Sequence, residues 1–325
     1  MKKSIFRKRL LVVALIAIFA LSGCSGGNAA KVVPGTDAMV YLNDLSTAGA
    51  RAAGTETEIA AGAYIQKTLE GMGYTVTLEP FTFQDDQGAT QNSNNIIAVK
   101  TGDTEKTVVV GAHYDSMTAG DGVDDNASGI AVELEAAKVL KDVKTPETIK
   151  FIFFGAEEPG LFGSAYHVSK MTSDEIANTV LMINFDSLIA GDFAYVYGNG
   201  DATGKARDRA LEIAKENKLT MITQPGENPD YPAGTTGDWS DHAAFKAAGI
   251  PYLYFESTNW TLGEKDGYTQ VDMKLGVNGE IWHTEFDKMA YMKTNFPGRM
   301  EERLATFAAV TEALLKEDLN YSATK

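Results

Sequence analysis

The sequence predicts an α/β fold: a mixed, mostly parallel central sheet sandwiched by helices. Two observations carry this expectation. Short runs rich in Val, Ile, Phe and Tyr are apolar at nearly every position, the pattern of strands covered on both faces rather than one. Amphipathic helical patterns separate those runs, and such alternation favours a parallel or mixed sheet with helices on both sides.

The elements follow in order. Strands are expected at Tyr74 to Phe83, Asn95 to Lys100, Thr107 to His113, Thr148 to Phe154, Val180 to Phe185, Phe193 to Tyr197 and Ile250 to Phe255. Between and after them, apolar residues at helical spacing predict helices over Thr57 to Met72, Ala127 to Leu140, Lys205 to Asn217, His242 to Ala248 and Glu301 to Lys316. With no second linker and no internal repeat, residues 37–325 read as one domain.

The N-terminus reads differently. Met1 to Arg9 is basic, and the apolar run Leu10 to Leu21 is too short to span a bilayer as a mature helix, so residues 1–23 are expected to be a secretion signal. Leu21-Ser-Gly-Cys24 resembles the lipobox of bacterial lipoproteins, which implies a lipid on Cys24, a membrane partner through that lipid and a location on the outer face of a bacterial membrane. Residues 24–36, rich in Ser, Gly, Ala and Asn, read as a flexible tether. Cys24 is the only cysteine, so no intramolecular disulfide can form and stability must come from the core. Loss of residues 1–23 removes five basic residues and no acidic one, taking the net charge from −15 to −20. A chain this acidic is not expected to bind nucleic acid by neutralising phosphates.

Candidate ligands gather where apolar strands end, the edge at which open α/β sheets place their functional groups. His113 and Asp115 are two apart on an extended segment, so their side chains point the same way. Asp115 is therefore expected to take one imidazole N–H and aim the other nitrogen at a metal. Asp124-Asp125-Asn126 opens a helix, and two adjacent acids exceed what a single N-cap needs. Asp124 is assigned as a carboxylate bridging two cations, with Asp125 in a supporting role. Glu157 and Glu158 follow a strand, where adjacent carboxylates repel unless cations or protons offset them. One can hold a metal while the other accepts a proton from water. Asp186 ends another apolar run, and His283 lies far downstream. Of the other histidines, His167 falls in a helical segment and reads as structural, and His242 is left open.

Five segments, Val108 to Gly129, Phe151 to Gly160, Ile183 to Ser187, Ser240 to Phe245 and Trp282 to Asp287, together with Arg51-Ala-Ala-Gly-Thr-Glu56, resemble the double-zinc aminopeptidases of clan MH, the secreted bacterial leucyl aminopeptidases. The resemblance covers about residues 37 to 318. It implies the zinc-dependent exopeptidase fold, two Zn2+ ions per chain and peptide substrates with a free N-terminus. It makes His113 and Asp186 ligands of one zinc, Glu158 and His283 ligands of the other, Asp124 the bridge, Glu157 the general base and Asp115 the acid that orients His113. It also implies a cis peptide between Asp124 and Asp125. The oxyanion donor has two candidates, Tyr231 and His242, and the substrate pocket is open among Phe154, Phe162, Trp239, Tyr254 and Trp260.

Competing readings are a glutaminyl cyclase, which shares the fold and uses one zinc, a carboxypeptidase-like relative, and a lipid-anchored peptide-binding protein without catalysis. No arginine cluster near the motifs suits a substrate carboxylate, and a binding protein has no need of Glu157 beside a metal ligand.

Overall fold

The computed structural model describes residues 33–199 and 204–321, so the expected signal segment and Cys24 lie outside the described residues. Among the described residues seven strands form one sheet in the order β1-β2-β4-β3-β5-β7-β6: β1 (Val76–Gln84), β2 (Thr90–Lys100), β3 (Thr107–His113), β4 (Thr148–Phe154), β5 (Thr179–Phe185), β6 (Phe193–Gly198) and β7 (Tyr252–Thr258). The four central strands, β4, β3, β5 and β7, run parallel, while β1, β2 and β6 are antiparallel to their neighbours. The mixed, mostly parallel α/β sheet is as expected.

Helices cover both faces because the central strands are apolar on both. Val108, Val110 and Ala112 of β3 join the large core with helices α1 (Thr36–Ser46), α2 (Glu56–Gly71), α3 (Ser128–Leu140), α6 (Lys205–Glu216) and α9 (Arg299–Leu314). Val109, one position out of phase, faces the opposite side with Ile152, Phe154, Met182 and Phe245. There the cover comes from α4 (Phe162–Lys170), α5 (Ser173–Asn178) and α7 (His242–Ala247). Fully buried residues such as Leu42, Ile65, Leu134, Phe151 and Phe307 each contribute roughly 1.5–3 kcal/mol of apolar burial.

The expected helices appear within two residues of their predicted ends. Four helices had no prediction of their own bounds: α1, α4, α5 and α8 (Met289–Asn295). Helix α1 begins at Thr36 and takes in the end of the expected tether, because the Glu135 carboxylate of α3 accepts the Gly35 and Ala38 N–H groups at 2.6 and 2.5 Å. No helix among the described residues is long and apolar enough to cross a membrane.

Chain order fixes where a site can form. From β3 the chain crosses through α3 to β4 on one side of β3, then returns through α4 and α5 to β5 on the other. Helices leaving in opposite directions open a crevice at the carboxyl ends of β4, β3 and β5.

Candidate metal centre

His113 is the last residue of β3, Asp186 follows β5 directly, and Glu157 and Glu158 follow β4 through a two-residue turn. His283 reaches the same point from a long loop and adopts a left-handed backbone, φ 53°. Asp125 arrives from a wide helical turn, Val123–Ala127, that precedes α3.

Asp125 lies between the two imidazoles, with Oδ1 3.2 Å from His113 Nε2 and Oδ2 3.0 Å from His283 Nε2. His113 Nε2 is also 3.5 Å from Asp186 Oδ1 and 3.9 Å from Glu157 Oε2, and His283 Nε2 is 3.0 Å from Glu158 Oε2. Ligand atoms of His113, Glu157 and Asp186 lie within 4.8 Å of one another, as do those of His113, Asp125 and Glu158. His283 is half-exposed, whereas His113, Asp125, Glu157 and Asp186 are buried.

The expectation for Asp124 is corrected. Its Oδ1 accepts the Ile189 and Ala190 N–H groups at 2.7 and 3.0 Å, and its Oδ2 accepts Gln270 Nε2 at 2.6 Å. These donors occupy the carboxylate away from the histidines, so Asp125 rather than Asp124 lies between the two imidazoles. The cis peptide likewise falls one residue later, between Asp125 and Asn126. Gly122, at φ 61°, starts this turn where an added Cβ would lie 2.8 Å from an Arg51 guanidinium nitrogen. Arg51, fully buried, donates to the carbonyls of Tyr114, Asp121 and Gly122.

Asp115 has a different main task from the one expected. Its Oδ1 is 3.6 Å from His113 Nδ1, beyond a good hydrogen bond, while its two oxygens accept the Glu157 and Glu158 N–H groups at 3.0 and 3.1 Å. It fixes the glutamate turn and supplies His113 with a nearby negative charge. Asp287 does the same for the other turn, accepting the N–H groups of Val123, Asp124 and Asp125 at 3.0, 2.7 and 3.1 Å. Its position in the Trp282 to Asp287 segment was the available sequence signal, although its role was not foreseen.

Burial pushes the Glu157 carboxyl well above its usual range; His113 opposes this, and the Glu158 and Asp186 charges add to it. Burial, then Asp125, lifts Glu158 to about 7. Burial opposes ionisation of Asp125, but hydrogen bonds from His113 and His283 hold it below the ordinary range. Burial disfavours protonated His283, yet Asp125 and Glu158 raise it to about 11. Four carboxylates thus face two imidazoles, and no lysine or arginine among the described residues lines the cleft. Carboxylate and imidazole donors converging without a basic side chain to neutralise them fit divalent zinc.

The remaining cleft wall is Gly160, Leu161, Ser187 and four aromatic residues, Trp239, Tyr254, Tyr268 and Trp282. Of the pocket candidates, Trp239 and Tyr254 are present. Phe154 packs on Phe245, Phe162 stacks on Phe83, and Trp260 Nε1 donates to the Tyr197 hydroxyl. Tyr268 and Trp282 were missed, since nothing in the local pattern separates a rim aromatic from a core one. Neither oxyanion candidate lines the cleft. His242 is buried against Tyr252 and Tyr254, contacts the Gly237 carbonyl and is lowered to about 4 by burial. Tyr231 packs edge-on against Trp239 and Trp260. His167 pairs with Glu79 at 3.1 Å, as a structural histidine would.

The same chain can be set against known proteins. It is 33% identical over 344 aligned positions to the alkaline phosphatase isozyme conversion protein of Escherichia coli, covering 97% of this chain and 98% of that one. Two solved structures share the fold: a zinc aminopeptidase from Bacillus subtilis (TM-score 0.71, 18% identity, 88% of this chain and 96% of that one) and a glutaminyl cyclase from Porphyromonas gingivalis (TM-score 0.68, 20% identity, 88% and 99%). At those identities the likeness speaks to fold alone, and it spans two reactions. The sequence profile of peptidase family M28 matches residues 95–308, a span that holds every side chain of the cluster around Asp125. The chain belongs to peptidase family M28 and is a metallopeptidase.

Proposed function

We propose that this chain is an aminopeptidase that hydrolyses the N-terminal residue from peptides bearing a free α-amine, with two zinc ions per chain. The observation that carries the reading is Asp125, whose two oxygens address two imidazoles, each with a further carboxylate beside it. His113, Asp125 and Asp186 would hold one ion, and Asp125, Glu158 and His283 the other. Bound there, zinc supplies Lewis acidity that polarises the scissile carbonyl and acidifies water.

Glu157 is the general base. Its burial among carboxylates gives it a raised proton affinity, which suits a group that accepts a proton from the attacking water and passes it to the leaving amine as the C–N bond breaks. Asp115 keeps the Glu157 backbone in place through that transfer. Carboxylate charge at the cleft floor attracts the α-ammonium of an incoming peptide, and the aromatic wall receives one side chain.

Glu157→Gln is expected to keep two equivalents of zinc while turnover of aminoacyl-p-nitroanilides falls about 10²–10⁴-fold. Near-normal turnover would remove Glu157 from the mechanism. Cyclisation of an N-terminal Gln peptide by the wild-type chain without p-nitroaniline release would overturn hydrolysis.

Export and a lipid on Cys24 belong to the same proposal. They are supported by the basic start, the apolar run and Leu21-Ser-Gly-Cys24. Cys24→Ala should move the protein from the membrane pellet to the soluble fraction, and a variant that still pellets would refute the anchor.

A further inference from the structure

Thr55-Glu56-Thr57-Glu58 spells a capping box, in which the glutamate should fold back onto the N-cap backbone. Thr55 does cap α2, its side chain accepting the Glu58 N–H at 3.4 Å. The Glu58 carboxylate goes elsewhere. Its Oε2 accepts the Gly54 N–H at 2.6 Å, while its Oε1 accepts the Ser93 hydroxyl of β2 at 2.5 Å and the Ala156 N–H at 3.2 Å. The side chain is buried, 1% exposed.

Ala156 immediately precedes Glu157 and stands in the left-handed region, φ 52°, a conformation an alanine keeps only where its surroundings impose it. Around it, four consecutive N–H groups each meet a side-chain acceptor: Gly155 to Asn95 Oδ1 (3.3 Å), Ala156 to Glu58, and Glu157 and Glu158 to Asp115. Space is as tight as the bonding. A Cβ added at Gly155 would come 2.1 Å from Ser93 Oγ and 2.9 Å from Glu58 Oε1. Only one turn separates the strand from Glu157, so an unclamped Ala156 peptide would let the base swing relative to the ligands.

We propose that Glu58 is a positioning residue for the reaction: through Ala156 it fixes the backbone that aims Glu157, and through Gly54 it ties that turn to the segment carrying Arg51. The proposal rests on Glu157 acting as the base.

The test compares Glu58→Ala, Glu58→Gln and Glu58→Asp in the zinc-loaded full-length protein, with zinc content, melting temperature, kcat and KM measured for each. Glu58→Ala should lower kcat per zinc-loaded site about 10–100-fold, with KM within about threefold and two zinc equivalents retained. Glu58→Gln keeps an acceptor oxygen for Ala156 and should recover most of that loss. Glu58→Asp is too short to reach Gly54 and Ala156 together and should not. Wild-type kcat per loaded site in Glu58→Ala, whatever its melting temperature, would reduce Glu58 to packing and overturn the proposal. If Glu58→Ala does not fold, equal kcat in the Gln and Asp variants overturns it instead. An inactive Glu157→Gln beside a fully active Glu58→Ala removes only the positioning role, whereas an active Glu157→Gln removes the base itself.

Discussion

At Asp125 the two carboxylate oxygens divide between His113 and His283, whereas at Asp124 both are consumed by N–H donors from the 189–190 loop and from Gln270. Gln270 in turn accepts the Ile281 and Trp282 N–H groups through Oε1. Asp124 therefore ties the loop after Asp186 to the loop before His283, holding ligand-bearing segments without facing the cluster. Asp125→Asn should fall below two zinc equivalents per chain after dialysis. Asp124→Asn should keep both and lose stability on the order of 1–3 kcal/mol, the cost of buried partners left unmatched. Metal retained by the first variant and lost by the second would restore the sequence-based assignment. That assignment failed because adjacent residues of like chemistry carry no signal for which side chain faces inward; the turn geometry decides it.

At the scale of elements, the strand ends were legible. His113, Asp186 and the Glu157–Glu158 pair could be placed because a continuously apolar run has a visible end, and β3, β4 and β5 stop within a residue of where the pattern stops. Helices α2, α3, α6, α7 and α9 were legible for the same reason of periodicity. Short helices such as α5, with six residues and none buried, show too little amphipathic face to be seen. The supporting carboxylates were not legible either. Asp115, Asp287 and Glu58 act on backbone N–H groups 42–43, 162–164 and 98 positions away, and no local rule reports such pairings. Glu58 is the sharpest case, since its local pattern points to a helix cap while its carboxylate serves another turn.

Across the whole molecule, several acids outside the cluster are raised in proton affinity by the fold. Burial, assisted by Asp115 at Glu58 and by Asp318 at Glu147, raises Glu58, Glu147 and Glu312 from 4.5 to about 7. Between about pH 4.5 and 7 these three carboxyls bind more protons in the folded chain than in the unfolded one, so the stability they contribute declines as pH rises through that window; His242, lowered from 6.5 to about 4, opposes them over part of it. Asp125 and Glu79, both lowered, act in the opposite sense only at more acidic pH. The zinc-free protein should accordingly melt at a lower temperature at pH 8 than at pH 5. A melting temperature that climbs over that range would contradict the raised acids.

The sequence by itself determined the α/β class, most strand and helix positions and the ligand-type side chains at three strand ends, because apolar periodicity and residue chemistry are local properties. Only the tertiary structure decided that Asp125 rather than Asp124 lies between His113 and His283, that Asp115 and Asp287 clamp the two ligand turns, and which aromatic residues wall the cleft. Those outcomes depend on which side chains meet across segments distant in the chain, and the folded backbone is what brings them together.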